Sequence, residues 1–112
     1  MTIISNALRN SAGHHAAHCM YEIAGVCRDS TTDKTAGCVL CHVRLIGEAG
    51  GAQKPDDTCA AFGCGACHDV FDGRVPGLEK NSADWMFYAI RGMTRTIRWW
   101  HQHGYLTIKG AK

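Results

Sequence analysis

Hydrophobic positions recur most regularly toward the C-terminus. Between Asp84 and His103, apolar side chains fall at Met86, Ala89, Ile90, Met93, Ile97 and Trp100, mostly three or four apart. This spacing predicts one long amphipathic helix with that stripe turned inward. Ser82 or Asp84 can cap its first turn, and Gly104 can stop it. The other stripe, Tyr88, Arg91, Arg95, Arg98 and Gln102, is polar and largely cationic. Further upstream the period changes to two. From Cys38 to Leu45, Val39, Cys41 and Val43 alternate with Leu40, His42 and Arg44, which predicts a strand that carries His42 and Arg44 on one face. A short helix is expected from Cys67 to about Phe71, ending near Gly73, then a loop from Arg74 to Ser82 and a final short strand over Tyr105 to Ile108. Arg28 to Gly37 reads as a polar turn region. Gly47 to Pro55 reads as a flexible loop, because it lacks the spacing of a phosphate-binding loop. Residues 1–13, small and polar, are expected to be a flexible N-terminal tail, with residues 14–112 forming a single domain.

Length and cysteine content change this picture. A chain of 112 residues with seven cysteines has a small core, of the kind that a metal or disulfides often supplement. The first ten residues hold no apolar run of signal-peptide length, and no stretch approaches the roughly 20 apolar residues of a membrane span. The reading is therefore a cytoplasmic protein with no membrane partner, whose C-x-x-C pairs are metal ligands rather than a disulfide framework. The overall charge of +2 conceals an asymmetry: residues 1–73 carry 5 Lys/Arg against 8 Asp/Glu, and residues 74–112 carry 7 against 2. An acidic cysteine-bearing part followed by a basic helix suits a metal centre whose extension meets a polyanion, most simply DNA. A solvated basic helix would have the same composition.

The densest chemistry lies in Cys64-Gly65-Ala66-Cys67-His68-Asp69-Val70-Phe71-Asp72. Two thiols three apart can close on one tetrahedral Zn²⁺. His68 and Asp72, four apart, share a helical face and can hold a second, harder ion. The zinc then needs two more thiols. One choice is Cys38 with Cys41, a C-x-x-C unit at suitable separation. The other is Cys19 with Cys27, which bracket a turn at Gly25. Strand geometry inclines to the second, since residues 38 and 41 of an extended strand point to opposite faces. Cys59 reads as a packed thiol. His14, His15 and His18 read as a surface cluster, with His18 best placed to support a ligand from behind. C-x-x-C-H is also the attachment signature of a c-type haem, and C-x-x-C a redox motif. Four further zinc-competent thiols, and the lack of a βαβ pattern, count against these readings.

A histidine on a strand, a loop, and C-x-x-C-H opening a helix together resemble the HNH nucleases, also called ββα-metal or His-Me finger enzymes. More narrowly, Ile23 to Cys27, Val39 to Leu45, Lys54-Pro55-Asp56, Cys64 to Asp69 with Asp72-x-Arg74, and Gly92 to Thr96, in this order, resemble the YbcO-like family of prophage and phage nucleases. The resemblance implies an α+β fold, a small zinc-stabilised ββα-metal domain with a long C-terminal helix. It also implies a structural zinc on Cys19, Cys27, Cys64 and Cys67, with His42 as general base. A Mg²⁺ or Mn²⁺ ion on His68 and Asp72 would serve catalysis, Asp69 would orient a ligand, and Arg44, Arg91, Arg95 and Arg98 would contact DNA. Cys41 stands where the HNH pattern has an Asp or His ligand. The middle Asn of that pattern is matched in interval by Asp56 or Asp57. The expected activity is endonucleolytic hydrolysis of DNA, with a homodimer as the assembly to test. The alternative is a non-catalytic zinc-stabilised module that binds DNA or protein.

Overall fold

The computed structural model describes residues 2–28, 37–44 and 55–111, so most of the two expected polar loops lies outside the described residues. The element order is α1 (Asn6–Ser11), β1 (Cys38–His42), β2 (Ala60–Cys64), α2 (Gly65–Phe71) and α3 (Ala83–Gln102). The result is a small mixed α+β domain with a two-stranded sheet and a long C-terminal helix.

β1 and β2 pair antiparallel, with Cys38 opposite Cys64 and His42 opposite Ala60. All five residues of β2 are buried, which fits its small apolar sequence Ala-Ala-Phe-Gly-Cys. Its outer edge is closed by side chain and loop rather than by a third strand. Phe62 N donates to Thr96 Oγ1 at 3.0 Å, and Met20 N donates to Phe62 O at 2.8 Å. An open strand edge invites pairing with other chains, so this closure holds the sheet at two strands.

Helix α3 runs across both halves of the core. Its N-terminal half packs Trp85 and Ala89 against Tyr21, Cys41, Val70 and Phe71, and its C-terminal half packs Trp99 and Trp100 against Leu8, Met20 and Phe62. Ser82 caps it by accepting from Trp85 N at 3.2 Å. The buried face is Trp85, Ala89, Gly92, Thr96, Trp99 and Trp100. The expected inward stripe is therefore turned: Met86 and Ile90 are 43% and 65% exposed. Close approach decides this. A Cβ on Gly92 would lie 2.6 Å from the Tyr21 ring, so glycine is what lets the helix seat there. Thr96 is accommodated because its hydroxyl donates to Gly92 O as well as accepting from Phe62 N. Tyr21, Phe71 and Trp85 then stack in series, with centroids 4.5 and 4.4 Å apart.

Two further expectations need correction. The stretch expected as a loose tail contains a docked helix. Ser5 caps α1, Leu8 and Ala12 are buried, and Trp100 Nε1 donates to Ser11 Oγ at 2.8 Å. Tyr105 to Ile108 is not a strand. Tyr105 N and Leu106 N both donate to Trp100 O, which folds the chain back over the end of α3, and Tyr105 stacks on Trp99. No helix among the described residues is long and apolar enough to cross a membrane.

Candidate functional site

Helix α2 has potential ligands at both ends. At its start, Cys64 caps the helix by accepting from Cys67 N at 3.4 Å. The loop after Cys19 turns through Gly25, at φ +75°, where a side chain would be strained. Val26 N and Cys27 N both donate to Ile23 O, closing a tight knuckle that returns Cys27 to the helix. The sulfurs of Cys19, Cys27, Cys64 and Cys67 all lie within 4.8 Å of one another. Cys64 and Cys27 are 3.9 Å apart, close to the ~3.8 Å that a tetrahedral ion with ~2.3 Å bonds to sulfur imposes. Arg28 N also points at Cys64 Sγ, at 3.5 Å. The thiols interact strongly. A hydrogen bond from Cys67 pulls Cys19 down to about 5 against the opposing effect of burial, and the same bond pushes Cys67 up. Four thiols this close, with one pair near tetrahedral spacing, fit a zinc ion.

At the other end of α2, Cys41, His68 and Asp72 bring a sulfur, a ring nitrogen and a carboxylate oxygen within 4.8 Å of one another. His68 and Asp72 are i, i+4 neighbours with Nε2 and Oδ2 at 2.9 Å. Burial would raise Asp72, but the hydrogen bond and charge of His68, with Arg74 and Lys80, hold it below the usual carboxylate range. Cys41 arrives from β1, fully buried, and burial pushes its thiol up to about 12. The Asp69 carboxylate makes no direct contact with the His68 or Asp72 side chains among the described residues. It faces Arg74, whose guanidinium also reaches Asp72 at 3.3 Å.

The structure brings Cys41 together with His68 and Asp72, and turns His42, the expected general base, to Asp57. Adjacent strand residues point to opposite faces. His42 Nε2 instead lies 2.8 Å from Asp57 Oδ1, and Asp57 also accepts from Ser5 N and Arg9 Nε. Asp57 is wholly buried. Burial opposes its ionisation, but the Ser5 N–H, His42 and Arg9 outweigh it and keep the carboxyl below its ordinary value. An ionised Asp57 requires the proton on Nε2 of His42, which leaves Nδ1 as the accepting nitrogen. Sequence reasoning placed Asp57 only by interval and missed Arg9 entirely.

The expected DNA-contacting arginines divide. Arg91 is turned inward, donating to Tyr21 O and Glu22 O at 2.6 and 2.8 Å, with its guanidinium over the Phe87 and Tyr88 rings. It fastens the chain between Cys19 and Cys27 through these two carbonyls. Arg95 pairs with Glu22 at 3.3 Å. Together with His18, Arg98, Trp99 and Gln102, these two line a groove of about 260 Å³. Arg44 is exposed just beyond β1. His18 is exposed, with its ring nitrogen 3.2 Å from Cys19 O, while His14 stacks on His15 and lies edge-on to Trp99.

Fold and site together define a small α+β domain with one candidate metal cluster at each end of a short helix. Comparison with known proteins places it more closely. The chain belongs to the YbcO family, whose model, described as "Putative nuclease YbcO", matches residues 6–105. Proteins of that name from Escherichia coli (strain K12) and Enterobacteria phage 82 are each 36% identical over 86 residues, covering 77% of this chain and 83% of the relative. A solved structure described as a putative bacteriophage protein from Escherichia coli K-12 matches 88% of this chain and 99% of its own, at 28% identity and a TM-score of 0.65.

Proposed function

We propose that this protein is a metal-dependent endonuclease of the HNH type that hydrolyses DNA phosphodiester bonds, with Cys19, Cys27, Cys64 and Cys67 holding a structural zinc. The observation that carries the reading is the adjacency of two residues in β1. Cys41 faces His68 and Asp72, and the next residue, His42, is held by Asp57 on the other side of the strand.

A phosphate lying across the end of β1 would meet the ligand cluster on one side and the His42 imidazole on the other. His68 and Asp72 would hold a divalent ion, which when bound would supply Lewis-acid charge for the phosphate and the leaving 3′-oxygen. His42 Nδ1 takes a proton from water as the water oxygen bonds to phosphorus. The bond from phosphorus to the 3′-oxygen breaks, and that oxygen then takes up a proton. Asp57 holds the ring in the tautomer that this step requires. Arg44, Arg95 and Arg98 bind flanking phosphates without reading sequence. Relatives that carry the name "Putative nuclease" support the reaction class, and a reducing cytoplasm would keep the thiols available as ligands.

Incubating the purified protein with supercoiled plasmid and each of several divalent ions tests this. Nicking should appear, and His42→Ala should reduce it by roughly 10²–10⁴-fold. Intact plasmid under every ion, or equal cutting by the variant, would falsify the reading. One observation favours a non-catalytic binding module instead. Arg9, Ser5 and His42 all converge on Asp57, as a purely structural clamp would. Binding without cleavage, insensitive to His42→Ala but weakened by Arg98→Glu, would select that alternative.

A further inference from the structure

We infer that Cys41 is a metal ligand, and that with His68 and Asp72 it makes a second site selective for Zn²⁺ over Mg²⁺ or Mn²⁺. The site is that of the nuclease reading, but the inference concerns which ion it takes and stands or falls on metal binding alone.

Donor chemistry is the first ground. Mg²⁺ demands a near-ideal octahedron of oxygens, and Mn²⁺ also favours oxygen-rich sites. Here one donor is sulfur, one nitrogen and one oxygen, all within 4.8 Å of one another. Sulfur, imidazole and carboxylate are the three ligand types that Zn²⁺ accepts, and three protein ligands with a fourth position left open is its usual arrangement where it does chemistry. Placement is the second ground. Cys41 is fully buried on a strand and projects onto α2, whereas His68 and Asp72 have side chains 23% and 26% exposed. The thiol is thus fixed at the floor, and the remaining approach to an ion is from solvent.

Zinc content is measured on intact protein equilibrated with excess Zn²⁺ and then desalted. Two equivalents are expected, falling to one in Cys41→Ser and in His68→Ala, and remaining two in Cys59→Ser. Circular dichroism confirms that each variant is folded. Protein holding one Zn²⁺ is then titrated with Co²⁺, which should give a thiolate-to-cobalt charge-transfer band that Cys41→Ser loses. The affinity loss in Cys41→Ser should exceed the roughly 10–100-fold that removing an outer partner costs. A single equivalent in the wild type, two retained with unchanged affinity in Cys41→Ser, or Mg²⁺ or Mn²⁺ displacing the second Zn²⁺ at equal concentration would each overturn the inference. Absence of DNA cleavage with two zincs bound would instead count against the nuclease reading and leave this one standing.

Discussion

The clusters at the two ends of α2 share one helix and almost nothing else. At the N-terminal end all the donors are sulfur, three of the four cysteines are buried, and a backbone knuckle wraps the fourth. At the C-terminal end the donors are mixed, two of the three side chains are about a quarter exposed, and His68 and Asp72 pair with each other while Arg74 also reaches Asp72. A closed site with one kind of ligand holds a fold, whereas an open site with mixed ligands leaves a position for substrate.

The largest expected effect breaks the closed end. Cys64→Ser takes one sulfur out of the four-thiol cluster, while the serine hydroxyl can still accept from Cys67 N and Arg28 N, so the loss is that of the metal ligand alone. Zinc contributes about 10–16 kcal/mol in isolated finger peptides, comparable with the whole stability of a small domain. Loss of the cooperative urea transition and of the near-ultraviolet signal from the Tyr21, Phe71 and Trp85 stack is expected, and excess chelator should do the same to the wild type. An undiminished transition in the variant would mean that the cluster does not hold the fold.

Gly92→Ala presses on the closed end from behind without touching a ligand. Its new methyl would meet Tyr21, which sits in the knuckle between Cys19 and Cys27, as well as Ala61 Cβ at 3.0 Å. Overpacking of this sort costs about 1–3 kcal/mol. Urea midpoints should fall accordingly and zinc should leave faster, while binding at Cys41, His68 and Asp72 stays as it was. A neutral result would show that α3 can shift on the sheet without disturbing the knuckle.

Acid should sharpen the contrast from the open side. Asp72 and Asp57 both have folded values below the ordinary carboxyl value of about 3.9. Each therefore adds stability that is fully present above that value and fades as pH falls through the lower folded value. Replacing the buried Asp57 with Asn should cost about 1–3 kcal/mol at pH 7. The gap from wild type should narrow below about pH 4. A gap that stays constant or widens in acid would show that the carboxylate charge is not its source.

Much of the closed end was legible in the sequence because its signals are local. C-x-x-C fixes two ligands by spacing, and the parity of a strand argued against Cys38 with Cys41. The long helix was legible for the same reason, although its inward face was not. Hydrophobicity alone selected Met86 and Ile90, while the seat is made by Gly92, which the position of Tyr21 explains, and Thr96, which Phe62 N explains. The open end depended on two facts that spacing cannot supply. Strand parity puts Cys41 on the same face as the buried Val43 and therefore against α2, and this much could have been read from the alternation, although Val39 on that face is exposed. That His42 turns to Asp57, and that Arg9 and Ser5 hold Asp57 there, needed the docking of α1, whose short polar sequence gave no periodic sign of a helix.

The smallest effect on stability is expected from His68→Ala, and it is the most informative. His68 is 23% exposed and its pairing with Asp72 is an i, i+4 contact, a class worth about 0.3–0.5 kcal/mol. The thermal midpoint should therefore scarcely move, and the four-thiol cluster, at the other end of the helix, should keep its zinc. Plasmid nicking, by contrast, should be lost along with the second metal equivalent. Stability and activity would then separate within a helix of seven residues, with Cys64→Ser removing both and His68→Ala removing one. Should His68→Ala unfold the domain as Cys64→Ser does, the mixed cluster would be part of the structural centre, and α2 would carry one site in place of two.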